Sequence, residues 1–180
     1  MSDLALSTAR LTLRKPTPAD APQLLRLFNQ ADFIANIRDK NIRTEEQAIE
    51  EINNVILNHY DEHGFCLMSM DTADEQCIGM CGLVKRPALD IPDIGFAILS
   101  EFQNHGYVTE ASFAVLEHGF NELGLEKLAA IVNPDNMASI SVITKLGMPF
   151  IKGIQIEENE PRLKYFELTR SAFNAAQDKE

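Results

Sequence analysis

Ser100-Glu-Phe-Gln-Asn-His-Gly-Tyr-Val-Thr-Glu-Ala111 joins a strand to a helix. Upstream, Ile94-Gly-Phe-Ala-Ile-Leu99 is apolar and rich in residues that suit a buried strand. Downstream, Val108, Ala111, Val115, Leu116, Phe120 and Leu123 recur at helical spacing. The turn between them contains one glycine, Gly106, where backbone can approach a ligand closely. The first amides of the helix have no partners inside it, and the macrodipole favours an anion beside them. A phosphate group is the expected occupant. Spacing excludes two common phosphate loops. No Gly-x-x-x-x-Gly-Lys-Ser/Thr occurs, and no Gly-x-Gly-x-x-Gly; the loop also follows the chain midpoint instead of opening a βαβ unit.

A chain of 180 residues fits one domain, read here as residues 1–180, long enough to bury most of its apolar surface. Hydrophobic residues at 45% and charged residues at 24% are those of a soluble globular protein. No apolar run has the length of a membrane span, and Met1-Ser-Asp-Leu-Ala lacks the basic and apolar regions of a secretory signal. Cys66, Cys77 and Cys81 lie in apolar strand-like sequence, which favours buried thiols in a reducing compartment over a disulfide framework. No further Cys or His near Cys77 and Cys81 completes a metal set, so no metal is expected. The expectation is a cytoplasmic protein without membrane attachment. With 27 acidic against 16 basic residues, the net charge of −11 repels nucleic-acid backbones and suits a cationic substrate.

Ala9–Arg14 alternates as a half-buried first strand. Thr17-Pro18-Ala-Asp20 opens a helix whose buried face is Leu24, Leu25, Leu27 and Phe28. Ala31 to Arg43 reads as an irregular connection. Thr44-x-x-Gln47 is a capping box for a helix through about Tyr60, with Ile49, Ile52, Val55 and Ile56 inward. Gly64–Met70 and Gln76–Lys85 form two strands joined by the polar turn Asp71–Glu75. After the loop and its helix, Leu128–Val132 is a strand and Asn133–Asn136 leads into a helix closed by Gly147. Phe150–Ile156 and Arg162–Thr169 pair as a closing hairpin before a short helix, Ser171–Gln177. The order predicts an α/β (α+β) fold: a mixed sheet with helices on both faces.

Gln103-x-x-Gly106-x-Val108-Thr109-Glu110-Ala111 resembles the pyrophosphate arm of the GNAT N-acetyltransferase superfamily, Gln/Arg-x-x-Gly-x-Gly/Ala, with Val108 departing at the last position. Asn133-Pro-Asp-Asn136-Met-Ala-Ser139 through Lys145-Leu-Gly147 is similar to a second family segment, and Asp93-Ile-Gly-Phe96 to the strand feeding the loop. The opening Thr8–Asp20 and the closing Tyr165–Phe173 resemble the branch that acetylates N-terminal amines of ribosomal proteins. The resemblance implies a largely antiparallel twisted sheet of about seven strands and acetyl-CoA as co-substrate. It assigns the pantetheine arm to backbone of Ala97, Ile98 and Leu99, which would pair with it as with an added strand. The diphosphate falls to amides of Asn104, His105, Gly106, Tyr107, Val108 and Thr109, with Gln103 steadying the loop. Asn136 would bond the pantetheine or the acetyl end, and is also a natural helix cap.

Acetyl transfer to an amine needs a neutral nitrogen, a polarised carbonyl and a proton for the leaving thiolate. An α-amine of pKa near 8 is appreciably neutral at pH 7, whereas a lysine amine is neutral roughly once in 2,500 molecules. A peptide N-terminus therefore needs only a modest base. Asp93 is the first candidate, ahead of Asp90 and Glu157; its plain reading is a solvent-facing strand start. Family members often protonate the thiolate from a Tyr four residues before the closing Gly, but Ile143 stands there, so Ser139 is the candidate acid. His59, His63, His105 and His118 are assigned no catalytic part. The acceptor is a primary amine, a protein N-terminus or a small molecule. A non-catalytic CoA-binding sensor or scaffold is the alternative, favoured by Val108 and Ile143. Exposed strand edges and family habit leave room for a homodimer.

Overall fold

Leu13 is fully buried while its neighbour Thr12 is exposed, the alternation expected of a strand with one wet face. The computed structural model describes residues 4–74 and 76–178. Met1–Asp3, part of the stretch examined for a signal, and Glu75, the last residue of the expected polar turn, lie outside the described residues. The strands are β1 (Ala5–Ser7), β2 (Leu11–Arg14), β3 (Leu67–Thr72), β4 (Gly79–Val84), β5 (Asp93–Ile98), β6 (Lys127–Val132), β7 (Phe150–Ile154) and β8 (Leu163–Thr169). They form one sheet in the order β1-β2-β3-β4-β5-β6-β8-β7, antiparallel at every step except β5–β6. The strand beyond the expected seven is β1, which folds back on β2 with Ala5 opposite Arg14. Three residues are too few to show a period of two.

The helices are α1 (Ala21–Phe28), α2 (Ala31–Asn36), α3 (Glu45–Glu51), α4 (Asn58–His63), α5 (Tyr107–Glu117), α6 (Met137–Lys145) and α7 (Arg170–Gln177). The Thr44 box forms as expected: Thr44 Oγ1 accepts from Gln47 N, and Gln47 Oε1 accepts from Thr44 N. Two expectations for this half fail. The connection after Ala31 begins with α2, held because Phe33 packs on Phe28 with ring centroids 5.4 Å apart. Val55 points outward, 53% exposed, because α3 and α4 are joined by a π-helical turn, Ile52–Leu57. That wider turn shifts the angular phase on which an inward Val55 depended.

Residues opposite one another in the ladders share a face. Leu13, Met70, Cys81, Leu83, Leu128 and Phe166 face α5, where Cys81 Sγ lies 3.6 Å from Ser112 Oγ. Past α5 the chain widens into a second π-helical turn, His118–Glu122. There the backbone nearly touches the sheet: a Cβ on Gly119 would sit 3.0 Å from Leu128 Cδ1. Phe120 meets Phe173 of α7 at 5.1 Å. On the other face, which carries Arg14 and Ser69, α1 packs against β4 and α3 packs in turn on α1. Helices thus cover both faces. Among the described residues no helix is long and apolar enough to cross a membrane.

Candidate active site

Parallel neighbours β5 and β6 share one register pair, Asp93 opposite Ala129, beside a bond from Ala129 N–H to Pro92 O at 2.9 Å. Past that point the ladder between them stops and the strands part. Hydrogen-bonded pairs alternate along an antiparallel ladder. Leu99 N–H donates to Ile78 O at 2.9 Å, so by alternation Ala97, Gly95 and Asp93 turn their backbone groups toward β4, while Leu99 O turns back to accept from Phe102 N–H at 2.9 Å. Ile94, Phe96 and Ile98 turn theirs into the gap. Of Ala97, Ile98 and Leu99, only Ile98 presents its polar backbone there, and Phe96 joins it. This parity was open to sequence reasoning in principle, but the register was not.

The gap leads to the loop before α5. Asn104 and Gly106 both have positive φ, 61° and 80°, so successive amides fold into a concave nest. Helix geometry leaves Gly106, Tyr107, Val108 and Thr109 without intrahelical acceptors for their N–H groups. The nearby carboxylates are already paired. Glu110 accepts from Thr8 Oγ1 at 2.6 Å, Arg10 N at 2.8 Å and Arg10 Nε at 2.7 Å. Burial would raise its pKa, but these bonds outweigh burial and hold it below the ordinary carboxylate value. Glu101 pairs with Arg26 at 2.5 Å. Arg10 Nη1 also donates to His105 O at 2.8 Å, bracing the loop from its carbonyl side. Side chains at 106 are doubly disfavoured, by the left-handed φ and by Arg10 Nη2, 3.3 Å from the place of a Cβ. Gln103 Nε2 reaches Asp32 Oδ2 at 3.5 Å, the His105 ring stacks on Tyr107, and Val108 packs against the core. The loop therefore offers amides to an anion with its own acids neutralised.

Asn136 caps α6: its Oδ1 accepts from Ser139 N at 3.1 Å. Its Nδ2 donates to Ser139 Oγ at 2.9 Å, which leaves the Ser139 hydroxyl proton free for another acceptor. Ile143, at the position where a Tyr is common, is buried in the core.

Asp93 is 1% exposed, so it is no solvent-facing strand start. Burial pushes its pKa up to about 6 against the single ion pair from Arg86 Nε at 2.9 Å. It stands at the closed end of the gap. Val132, where β6 ends, lies three residues beyond Ala129, about 10 Å along the strand, and Asn136 and Ser139 follow it. The candidate base and acid therefore flank the gap from opposite ends. Tyr165, unforeseen from sequence, is buried beside Ala129 and donates to Glu167 Oε2 at 3.0 Å. Burial and Glu167 push its pKa up to about 12.

Of the four histidines, His59 is not a surface residue. It is half-buried, with Nδ1 2.9 Å from Phe65 O and Nε2 accepting from Lys85 N at 3.0 Å, so both ring nitrogens are engaged with backbone. The thiols of Cys66, Cys77 and Cys81 are buried and free, pushed by burial up to about 12, 11 and 12. Among the described residues no group of three or more His, Cys, Asp or Glu is placed to hold a metal.

Residues 10–149 match the family described as acetyltransferase (GNAT) domain. YnaD of Bacillus subtilis, by its name an uncharacterized N-acetyltransferase, is 38% identical over 144 residues, 79% of this chain and 81% of YnaD. The fold is similar to that of a GNAT-family acetyltransferase from Bacillus anthracis, with TM-score 0.79 and 21% identity over 93% of this chain and 99% of that one. It is also similar to RimL, a ribosomal α-N-protein acetyltransferase solved with coenzyme A. There the TM-score is 0.77 and the identity 17%, over 94% and 99% of the two chains. At these identities the two solved structures speak for the fold alone.

Proposed function

The chain belongs to the GNAT acetyltransferase family and is an acyl-CoA-dependent acetyltransferase, and from that premise we propose that it acetylates a primary α-amine, foremost a peptide N-terminus. The observation that carries the reading is the open edge of β5 running into the unpartnered amides of α5. A thin ligand with amides along its length and a diphosphate at its end matches both parts. Backbone N–H groups of Phe96 and Ile98 face the gap, where one such donor to a developing oxyanion can lower a barrier by about 3 kcal/mol. Asn104 to Thr109 supply the diphosphate amides, with Gln103 steadying them.

Asp93 serves as base. Its raised pKa leaves it ionised at neutral pH yet basic enough to accept a proton from an α-amine, through water given its place at the closed end. Ser139, held by the Asn136 carboxamide, relays a proton to the leaving thiolate: its hydroxyl proton passes to sulfur as a water molecule returns one to Oγ, so no seryl alkoxide is left, and the proton taken up at Asp93 goes back to solvent. The acidic protein field suits a cationic amine on approach.

Release of free CoA from acetyl-CoA, measured against Ala- and Ser-starting peptides, polyamines and small amines, tests the reading. Turnover with the peptides is expected. Turnover confined to polyamines or lysine side chains would discard the α-amine while keeping the transferase.

A further inference from the structure

Gln30 lies between α1 and α2, and its carboxamide sits on the open edge of β5. Nε2 donates to Ile98 O at 3.2 Å, and Oε1 accepts from Ser100 N at 2.7 Å. Ile98 turns its backbone into the gap, and Ser100, two residues on, has the same parity. An added strand would use that same pair of groups, one N–H into Ile98 O and one C=O onto Ser100 N–H. A primary carboxamide carries the same donor and acceptor as the secondary amides of a pantetheine arm. Ser100 N–H has a single proton, already committed to Gln30. Two groups cannot both take it.

Resting on the cofactor reading above, we propose that Gln30 is a placeholder for pantetheine: its side chain satisfies the end of β5 until the cofactor displaces it. The displacement is transmitted to α2. Gln30 O accepts from Ile34 N–H at 3.1 Å, so the residue belongs to the first turn of that helix. Asp32 of α2 meets Gln103, and Arg26 of α1 pairs with Glu101. The segment from Ile98 to Gln103 is thus tied to α1 and α2 at three points, and Gln30 is the tie that competes with the ligand. Among these residues, Gln30 alone binds groups that the cofactor needs.

Calorimetric titration of the full chain and of Gln30→Ala, with CoA and with adenosine 3′,5′-bisphosphate, tests this. The bisphosphate carries phosphates but no pantetheine. A placeholder predicts that Gln30→Ala binds CoA roughly five- to hundredfold more tightly, the equivalent of two competing hydrogen bonds removed, with bisphosphate affinity unchanged. CoA binding that is unchanged or weaker in Gln30→Ala overturns the proposal, as does a parallel change for both ligands, which marks a plain brace of the loop. Wild type that binds no CoA would sink the cofactor reading and this proposal together. Should Gln30→Ala fail to fold, hydrogen exchange on the wild type decides. CoA should speed exchange at the Ile34 and Ile37 amides while the bisphosphate leaves them unchanged; equal behaviour with both ligands overturns the displacement.

Discussion

Asp20 and Asp93 are both sealed from solvent, 2% and 1% exposed, and each faces an arginine, yet they are tuned in opposite directions. Asp20 accepts from Arg14 Nη1 and Nη2 at 2.8 Å each, from Thr17 N at 2.7 Å and from Ser69 Oγ at 3.3 Å. Burial acts to raise its pKa, but these donors outweigh it and hold Asp20 below the ordinary carboxylate value. Arg14, which also grips Asp71 with Nε at 2.7 Å, is raised in turn, first by its bond with Asp20. Asp93 has one Nε contact from an Arg86 side chain that is 41% exposed, so burial prevails and its pKa rises to about 6. The number of donors, more than the presence of a cation, decides whether a buried carboxyl is a fixed anion or a titratable base.

Arg14→Ala should strain that comparison most. It strips the bidentate partner from a buried charge and should cost about 3–5 kcal/mol at neutral pH in urea denaturation. A loss under about 1 kcal/mol would mean that Thr17 and Ser69 suffice for Asp20. Asp93→Asn should act on rate instead, lowering kcat about 100-fold while leaving the urea midpoint near pH 8 unchanged or raised. A fall in stability comparable to that of Arg14→Ala would make Asp93 a second structural anion.

The two sites also part on titration. Asp20, with its depressed folded pKa, contributes stability above the ordinary carboxylate range that is lost as pH falls through its folded value. Asp93 has the reverse sign: its cost to the fold develops as pH rises from about 4 toward 6 and persists above. Acidification from neutral to about pH 5 should therefore favour wild type relative to Asp93→Asn in denaturation, and lower its kcat by about tenfold per pH unit below 6. A kcat flat down to about pH 4 would remove Asp93 as base. The smallest effect is expected of Arg86→Ala. Losing this cation should move the acidic limb of kcat upward by up to about one pH unit. A limb that stays in place would show that the Arg86 contact contributes nothing to the balance.

Strand, loop and helix around Gly106 were legible in the sequence because apolar period and turn chemistry are local properties. The Asn136 cap and the Thr44 box were legible for the same reason, each being closed within three residues. Val55 was misplaced because one wide turn shifts helical phase without changing composition. Family resemblance and residue type single out the candidate site residues, but neither shows which of them face the gap.

Local pattern in the chain determined the succession of elements, the amide-rich turn before α5 and the polar residues available to a site. Tertiary structure decided the rest. Arg10 meets Glu110 across a hundred residues, and Gln30 reaches Ile98 across 68. The parting of β5 from β6 depends on register, and the pKa of Asp93 on what packs around it. Hydrogen-bond parity and desolvation arise only when distant segments are brought together, so no local reading of the chain contains them.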